Sequence, residues 1–274
     1  MTTASYWVEL FESEQRLGGG FLLTRRYVLT ALHCLRSLTA PDDRVDIVLA
    51  DGSRIVGQVC RRDEAADLAL ITISAAHDVR LPIPRAGVAH GGDHWHGPYR
   101  PASAEVYLRG QVDSGSAEYL CEGGAVIQAL QLTAHQYLGD YSGYSGGPVV
   151  KGVPESGDPV VVGILLEQAP DRADVRRSAN VLFAATVAEA MRRFDQFDVE
   201  HLMDVVHPVS AGAGRDRQDE ALTVDEAAGA AESWFRRIDE WSQRHVLDAS
   251  QIAELKFMAA KAAIERQLRG DDHE

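Results

Sequence analysis

Short apolar runs, each closed by turn-forming residues, recur from Tyr6 to Ala184, and this rhythm limits the fold more than any other feature of the chain. Val45-Asp46-Ile47-Val48-Leu49, then Asp51-Gly52, then Ile55-Val56-Gly57-Gln58-Val59-Cys60 read as two strands and the hairpin turn between them. Strand signals resume at Val106-Tyr107-Leu108 and recur at 119–121, 126–132, 148–150, 160–166 and 181–184. Strands at this spacing predict an all-β barrel or sandwich. Between the two series, Pro82, Pro84, Gly87, Gly91, Gly92, Gly97, Pro98 and Pro101 crowd residues 82–103, which read as an irregular connection. Val187 to Phe194 reads as a short helix closing this part of the chain.

Beyond residue 200 the pattern changes. Residues 201–220 read as a flexible, charged linker containing Ser210-Ala211-Gly212-Ala213-Gly214. Thr223-Val224-Asp225-Glu226 has the spacing of a capping box. Val224, Ala227, Ala231, Trp234, Ile238 and Trp241 follow at helical spacing. A second helix starts near Asp248, carries Ile252, Leu255, Met258, Ala262 and Leu268, and ends at Gly270. Residues 221–274 therefore predict a helical hairpin. Such a pair buries little surface alone, so it needs a docking surface on this chain or on a partner.

The balance of charge excludes some functions. With a formal net charge of −14, the 274-residue chain lacks the clustered Lys and Arg that phosphate contacts require, which argues against binding to nucleic acid or anionic membranes. No apolar run is long enough to span a bilayer. No charged-then-apolar leader precedes Tyr6-Trp7-Val8. Cys34, Cys60 and Cys121 are too few and too scattered for a disulfide framework. Together these features point to a cytoplasmic setting.

Three stretches carry chemistry: Thr30-Ala31-Leu32-His33-Cys34, Asp67-Leu68-Ala69-Leu70 and Gly143-Tyr144-Ser145-Gly146-Gly147-Pro148. They offer an imidazole, a carboxylate and a hydroxyl, the groups that nucleophilic acyl transfer needs. Gly18-Gly19-Gly20-Phe21-Leu22-Leu23-Thr24 and Tyr27-Val28-Leu29-Thr30 place His33 after a strand–turn–strand unit. In this order and context the chain resembles the trypsin-like, chymotrypsin-fold serine peptidases. T-A-L-H-C stands for the family's T-A-A-H-C, and D-L-A-L-I fits its aspartate motif. G-Y-S-G-G-P matches G-D-S-G-G-P except at Tyr144. The resemblance covers residues 5 to about 197. It implies two six-stranded β-barrels with a cleft between them, so the expected fold is an all-β double barrel with a C-terminal helical hairpin. The expected divisions are 1–200 for the peptidase domain, 201–220 for the linker and 221–274 for the hairpin.

The resemblance implies a role for each group. Ser145 is the expected nucleophile, His33 its general base, and Asp67 the group that orients the imidazole. The backbone amides of Gly143 and Ser145 are the expected oxyanion hole. Gly139, six residues before Ser145, holds the usual primary-specificity position. Asp140, Leu166 and Glu167 complete the candidate substrate pocket, where either carboxylate favours Arg or Lys at the cleaved bond; both also read as plain surface carboxylates. Tyr144 replaces the aspartate that receives a new amino terminus in secreted zymogens, so activation by N-terminal cleavage is not expected. His90, His94 and His96 cluster within one segment, but they supply only three candidate ligands in a polar loop, and no metal or other cofactor is expected.

The leading expectation is an intracellular serine endopeptidase acting on protein or peptide substrates through an acyl-enzyme. Its architecture resembles the partner-activated trypsin-like peptidases of bacterial defence systems, with the C-terminal helices as the candidate site for an activating protein. The alternative is a catalytically silent peptidase-like module that binds peptides or serves as a scaffold. A quality-control peptidase is a weaker fit, since those usually carry a peptide-binding β domain after the protease.

Overall fold

Alternation of inward apolar and outward polar residues closes the first barrel. In the computed structural model, which describes residues 6–194 apart from 40–41, 75–76, 78, 80, 82, 103, 155–158 and 171–177, six strands build it. They are β1 (Trp7–Glu12), β2 (Gln15–Leu22), β3 (Tyr27–Ala31), β4 (Arg44–Leu49), β5 (Arg54–Asp63) and β6 (Leu68–Ile73), in the closed order β1-β2-β3-β6-β5-β4. Val45, Ile47 and Leu49 point inward from β4 and meet β1, where Val8 pairs with Leu49 and Leu10 with Ile47. Val8, Leu10, Val45 and Ile47 are fully buried. The expected Asp51-Gly52 turn joins β4 to β5, with the Ser53 amide and hydroxyl both donating to Asp51 Oδ1.

The second barrel uses β8 (His94–Gly97), β9 (Leu108–Leu120), β10 (Val126–Ala134), β11 (Pro148–Lys151), β12 (Val160–Pro170) and β13 (Ser178–Thr186). Its order is β11-β8-β9-β10-β13-β12, and pairing of β11 with β12 closes it. The two-residue β7 (Arg85–Ala86) adds in parallel to β12. α1 (Val187–Arg193) follows β13, and the Thr186 hydroxyl caps it by accepting from the Glu189 amide. The double barrel expected from the motifs is therefore the observed fold.

Two expectations need correction. Residues 82–103 are not wholly irregular: β7 and β8 lie inside the segment, and β8 is needed to close the second barrel. Its apolar content is a single Trp95 between histidines, too little to signal a strand, yet Trp95 is 1% exposed and its indole N–H donates to Thr133 O at 3.3 Å. The signals at 106–108 and 119–121 mark the two ends of one long strand, β9, which runs from Leu108 to Leu120, so that Val106, Tyr107 and Cys121 lie outside it, the first two exposed. The polar centre of β9 hides its continuity, because its outward residues are Asp, Ser and Glu. The predicted linker at 201–220 and helical hairpin at 221–274 lie outside the described residues.

Candidate active site

His33 sits in a short 3-10 helix, Leu32–Leu35, at the end of β3. Asp67 ends the tight turn, residues 64–67, between β5 and β6, and adopts φ +55°, a left-handed conformation uncommon outside glycine and asparagine-like residues. His33 and the residue before it are tied to Asp67 by three hydrogen bonds. Leu32 N–H donates to Asp67 O at 3.0 Å, His33 N–H to Asp67 Oδ1 at 2.9 Å, and His33 Nδ1 lies 2.5 Å from Asp67 Oδ2. Both carboxylate oxygens are thus committed to His33, which fixes Nδ1 as the protonated ring nitrogen and leaves Nε2 as the basic one. Burial pushes the His33 pKa down, but the hydrogen bond it donates to Asp67 and the adjacent Cys34 outweigh it, so the imidazole holds its proton well above the usual value.

Ser145 comes from the loop between β10 and β11. Two glycines shape this loop. Gly143 has φ +88° and Gly146 φ +81°; a Cβ on Gly146 would stand 2.2 Å from Gly19 O, on β2 of the other barrel. Gly19 O also accepts from the buried Thr30 hydroxyl at 2.6 Å. The Cys34 thiol lies 3.5 Å from Ser145 O, so the histidine segment and the serine loop meet directly. Gly143 N–H and Ser145 N–H donate to no protein atom among the described residues, as an anion-binding pair requires. The Ser145 hydroxyl itself donates to Leu166 O at 3.1 Å. No hydrogen bond joins it to His33 among the described residues. Catalytic hydrogen bonds are often loose without substrate and tighten only when it binds.

A pocket of about 120 Å³ opens beside Ser145, lined by Tyr141, Ser142, Tyr144, Leu165, Leu166, Glu167, Gln168 and Leu182. Of the four residues expected there, Leu166 and Glu167 line it; Gly139 and Asp140 do not. Asp140 instead accepts from the Ser142 amide at 2.8 Å and hydroxyl at 2.6 Å, which hold its pKa low and tie it to its own exposed turn. Gly139 O accepts from Gln168 Nε2 at 3.3 Å, and so braces the pocket wall from behind. Glu167 accepts from the Tyr119 hydroxyl, whose proton is held tightly by burial and by that carboxylate.

Sequence reasoning identifies Tyr144 only by what it replaces. Its ring is 3% exposed, and its hydroxyl donates to Val106 O at 2.7 Å, anchoring the serine loop to the second barrel. Tyr141 carries no motif that marks it as part of the site, and Thr30 enters only as the first residue of the T-A-L-H-C motif. Tyr141 packs 6.5 Å from Tyr144 and its hydroxyl reaches Gln136 O and Asn180. A Thr shortly before the histidine is the one available signal for Thr30. His90, His94 and His96 form no ligand cluster among the described residues. His96 Nδ1 is 3.0 Å from Gly152 O, and burial lowers its pKa.

The solved structures similar to this chain share the double barrel. An HtrA-type protease, AlgW, with a decapeptide aligns with a TM-score of 0.54 at 18% identity, covering 73% of this chain and 66% of that one. Rv3671c from M. tuberculosis, as an inactive-form serine-to-alanine mutant, aligns with a TM-score of 0.51 at 16% identity over 77% of this chain and 91% of its own. A second inactive form of Rv3671c protease gives 0.51 at 18% identity, over 71% and 90%. At such identities these likenesses speak for the fold alone. No curated protein sequence matches the chain. The family model of the trypsin-like peptidase domain matches residues 18–164, a span that contains His33, Asp67 and Ser145. The chain belongs to the trypsin-like peptidase family, and its enzyme class is that of a serine endopeptidase.

Proposed function

We propose that the protein cleaves peptide bonds through an acyl-enzyme, with Ser145 as nucleophile, His33 as base and Asp67 as the group that orients it. The observation that carries this reading is the Asp67 carboxylate bound at both oxygens by His33. That arrangement leaves Nε2 of a firmly held imidazole to take the serine proton and later pass it to the leaving amine. The step requires the Ser145 side chain to turn away from Leu166 O toward this base. The amides of Gly143 and Ser145 then receive the negative charge on the carbonyl oxygen; one such donor is typically worth about 3 kcal/mol in the transition state. The pocket walled by Leu166 and Glu167 takes the side chain before the cleaved bond. That AlgW was solved with a decapeptide is in keeping with a peptide ligand on this fold.

Three free thiols, two of them buried, fit a reducing, cytoplasmic compartment. Regulation by partner contact through residues 221–274, and a place among bacterial defence effectors, rest on the resemblance in architecture. A second reading has one observation in its favour. The Ser145 hydroxyl bonded to Leu166 O, not to His33, is what a silent peptide-binding module would show. A fluorophosphonate probe separates the two, since only an activated serine reacts. Labelling that vanishes in Ser145→Ala and His33→Ala supports the peptidase. An intact, folded protein that takes no label even with substrate peptides and candidate activators present overturns it in favour of the silent module.

A further inference from the structure

The turn that carries Asp67 does not hold itself. A non-glycine residue at φ +55° costs about 1–2 kcal/mol, so neighbouring groups must keep Asp67 in place. Asp63, the last residue of β5, supplies the first restraint: its Oδ1 accepts the Ala66 amide at 2.9 Å, one residue before Asp67. Its Oδ2 accepts from Arg193 Nη1 at 2.6 Å, across 130 residues of sequence. Arg193 lies in the last turn of α1, and its Nε donates to Glu189 Oε1 at 2.6 Å. The Glu189 side chain is 1% exposed and is shared with Arg192, while Arg193 and Asp63 are 15% and 23% exposed. The far side of the turn is touched from the other barrel. Ala125 N–H donates to Ala65 O at 3.0 Å, and the Cys121 thiol sits 3.8 Å from Ala66 O.

We propose that Arg193 is a positioning residue for Asp67, acting through Asp63 to fix the β5–β6 turn on the end of α1. The inference rests on the Ser145–His33–Asp67 reading above and assigns to that site a support from outside the cleft. A guanidinium suits the place because it donates to Asp63 and Glu189 at once from a planar fork, which a lysine ammonium on a flexible stem cannot reproduce. Arg193→Lys keeps the charge balance of the buried pair and removes only this fork. Asp63→Asn keeps an acceptor for the Ala66 amide and loses the charge-assisted bond to Arg193. Arg193→Ala is the poorer test, because a buried Glu189 left with one exposed partner threatens the fold itself.

Two measurements on full-length protein decide. The first is peptide hydrolysis across pH with Arg193→Lys and Asp63→Asn. The expected result is a kcat lower by about tenfold or more with KM within about twofold, since displacement of an orienting group is felt in the chemical step. The second is an NMR titration of the His33 imidazole, which reads its contact with Asp67 without any turnover; Cys34 is the other titratable group acting on this ring and is untouched by either change. A loosened Asp67 releases the His33 proton at lower pH, by about half a unit or more. Variants that keep the wild-type melting temperature, kcat and His33 titration overturn the positioning role and leave the triad reading intact. A wild-type protein whose Ser145 takes no fluorophosphonate overturns the triad reading, and the His33 titration still reports whether Arg193 sets the Asp67 contact. Lower melting temperature with an unchanged His33 titration makes Arg193 a structural residue only, which also overturns the proposal.

Discussion

In the proposed mechanism Ser145, His33 and Asp67 each have one chemical task, which sets what their substitution should do. Ser145→Ala deletes a hydroxyl whose hydrogen bond in this structure goes to Leu166 O, and the fold should survive the loss of that one bond. Peptide hydrolysis should fall by about 10⁴–10⁶ in kcat, His33→Ala should match it, and the double mutant should be little worse because the pair acts as a unit. Kinetics on protein checked by circular dichroism measures this; near-normal turnover by Ser145→Ala would end the reading. Asp67 raises the affinity of His33 for its proton, and the base must be neutral to act. Accordingly, kcat/KM should rise with pH through a limb lying above the usual imidazole value of about 6.5. Asp67→Asn should lower the rate and move that limb to lower pH. The same shift has a consequence for stability. A pKa raised by folding stabilises the native state fully below the unfolded value, and that contribution is lost as pH rises through the folded value. Glu167 gives the pocket its carboxylate, so cleavage profiling should show Arg or Lys before the scissile bond, and Glu167→Gln should weaken that preference. A profile dominated by small or apolar residues there would remove Glu167 from the specificity argument.

At the scale of elements, the site is a meeting of turns held by unrelated strands. The serine loop is wedged against β2 at Gly146, where an added Cβ meets the Gly19 carbonyl first and then the buried Thr30 hydroxyl bonded to it. Gly146→Ala should therefore cost about 2 kcal/mol or more in urea unfolding and abolish turnover, because relief of the clash moves the Ser145 amide. Wild-type stability in that variant would show the loop to be softer than its contacts suggest. The glycines around Ser145, the strand–turn–strand before His33 and most strands of both barrels are legible in the sequence, because each is a local pattern of a few residues. What is not legible is non-local or masked. β8 carries one buried tryptophan among histidines and glycines, so it lacks the apolar alternation that marks β4. Asp140 is a pocket carboxylate by its nearness to Gly139, yet the Ser142 amide captures it into a turn. Asp63 and Arg193 lie far apart in the chain, and no spacing rule connects them; only the closing of α1 onto the β5–β6 turn does.

For the molecule as a whole, the open question is what switches the site on. The position after Gly143 holds Tyr144, buried and hydrogen-bonded to Val106 O, so the residue before Ser145 is anchored within its own barrel and offers no carboxylate to a newly made amino terminus. Activity should then need no N-terminal trimming. The remaining routes are constitutive activity and activation by contact. Contact has a natural point of entry in residues 221–274, whose predicted apolar stripe includes Trp234 and Trp241, residue types favoured at interfaces. A partner that binds the competent arrangement more tightly shifts the population toward it by its differential affinity, about 1.4 kcal/mol for each tenfold. In that arrangement the Ser145 hydroxyl turns from Leu166 O to His33. Deletion of residues 221–274 should change the response to an activator while leaving the His33 titration as in the full-length protein. Peptide-hydrolysis assays paired with intact mass spectrometry measure the response and the state of the amino terminus, and the NMR titration measures His33. Activity that appears only after N-terminal trimming, and that is indifferent to the deletion, would refute activation by contact.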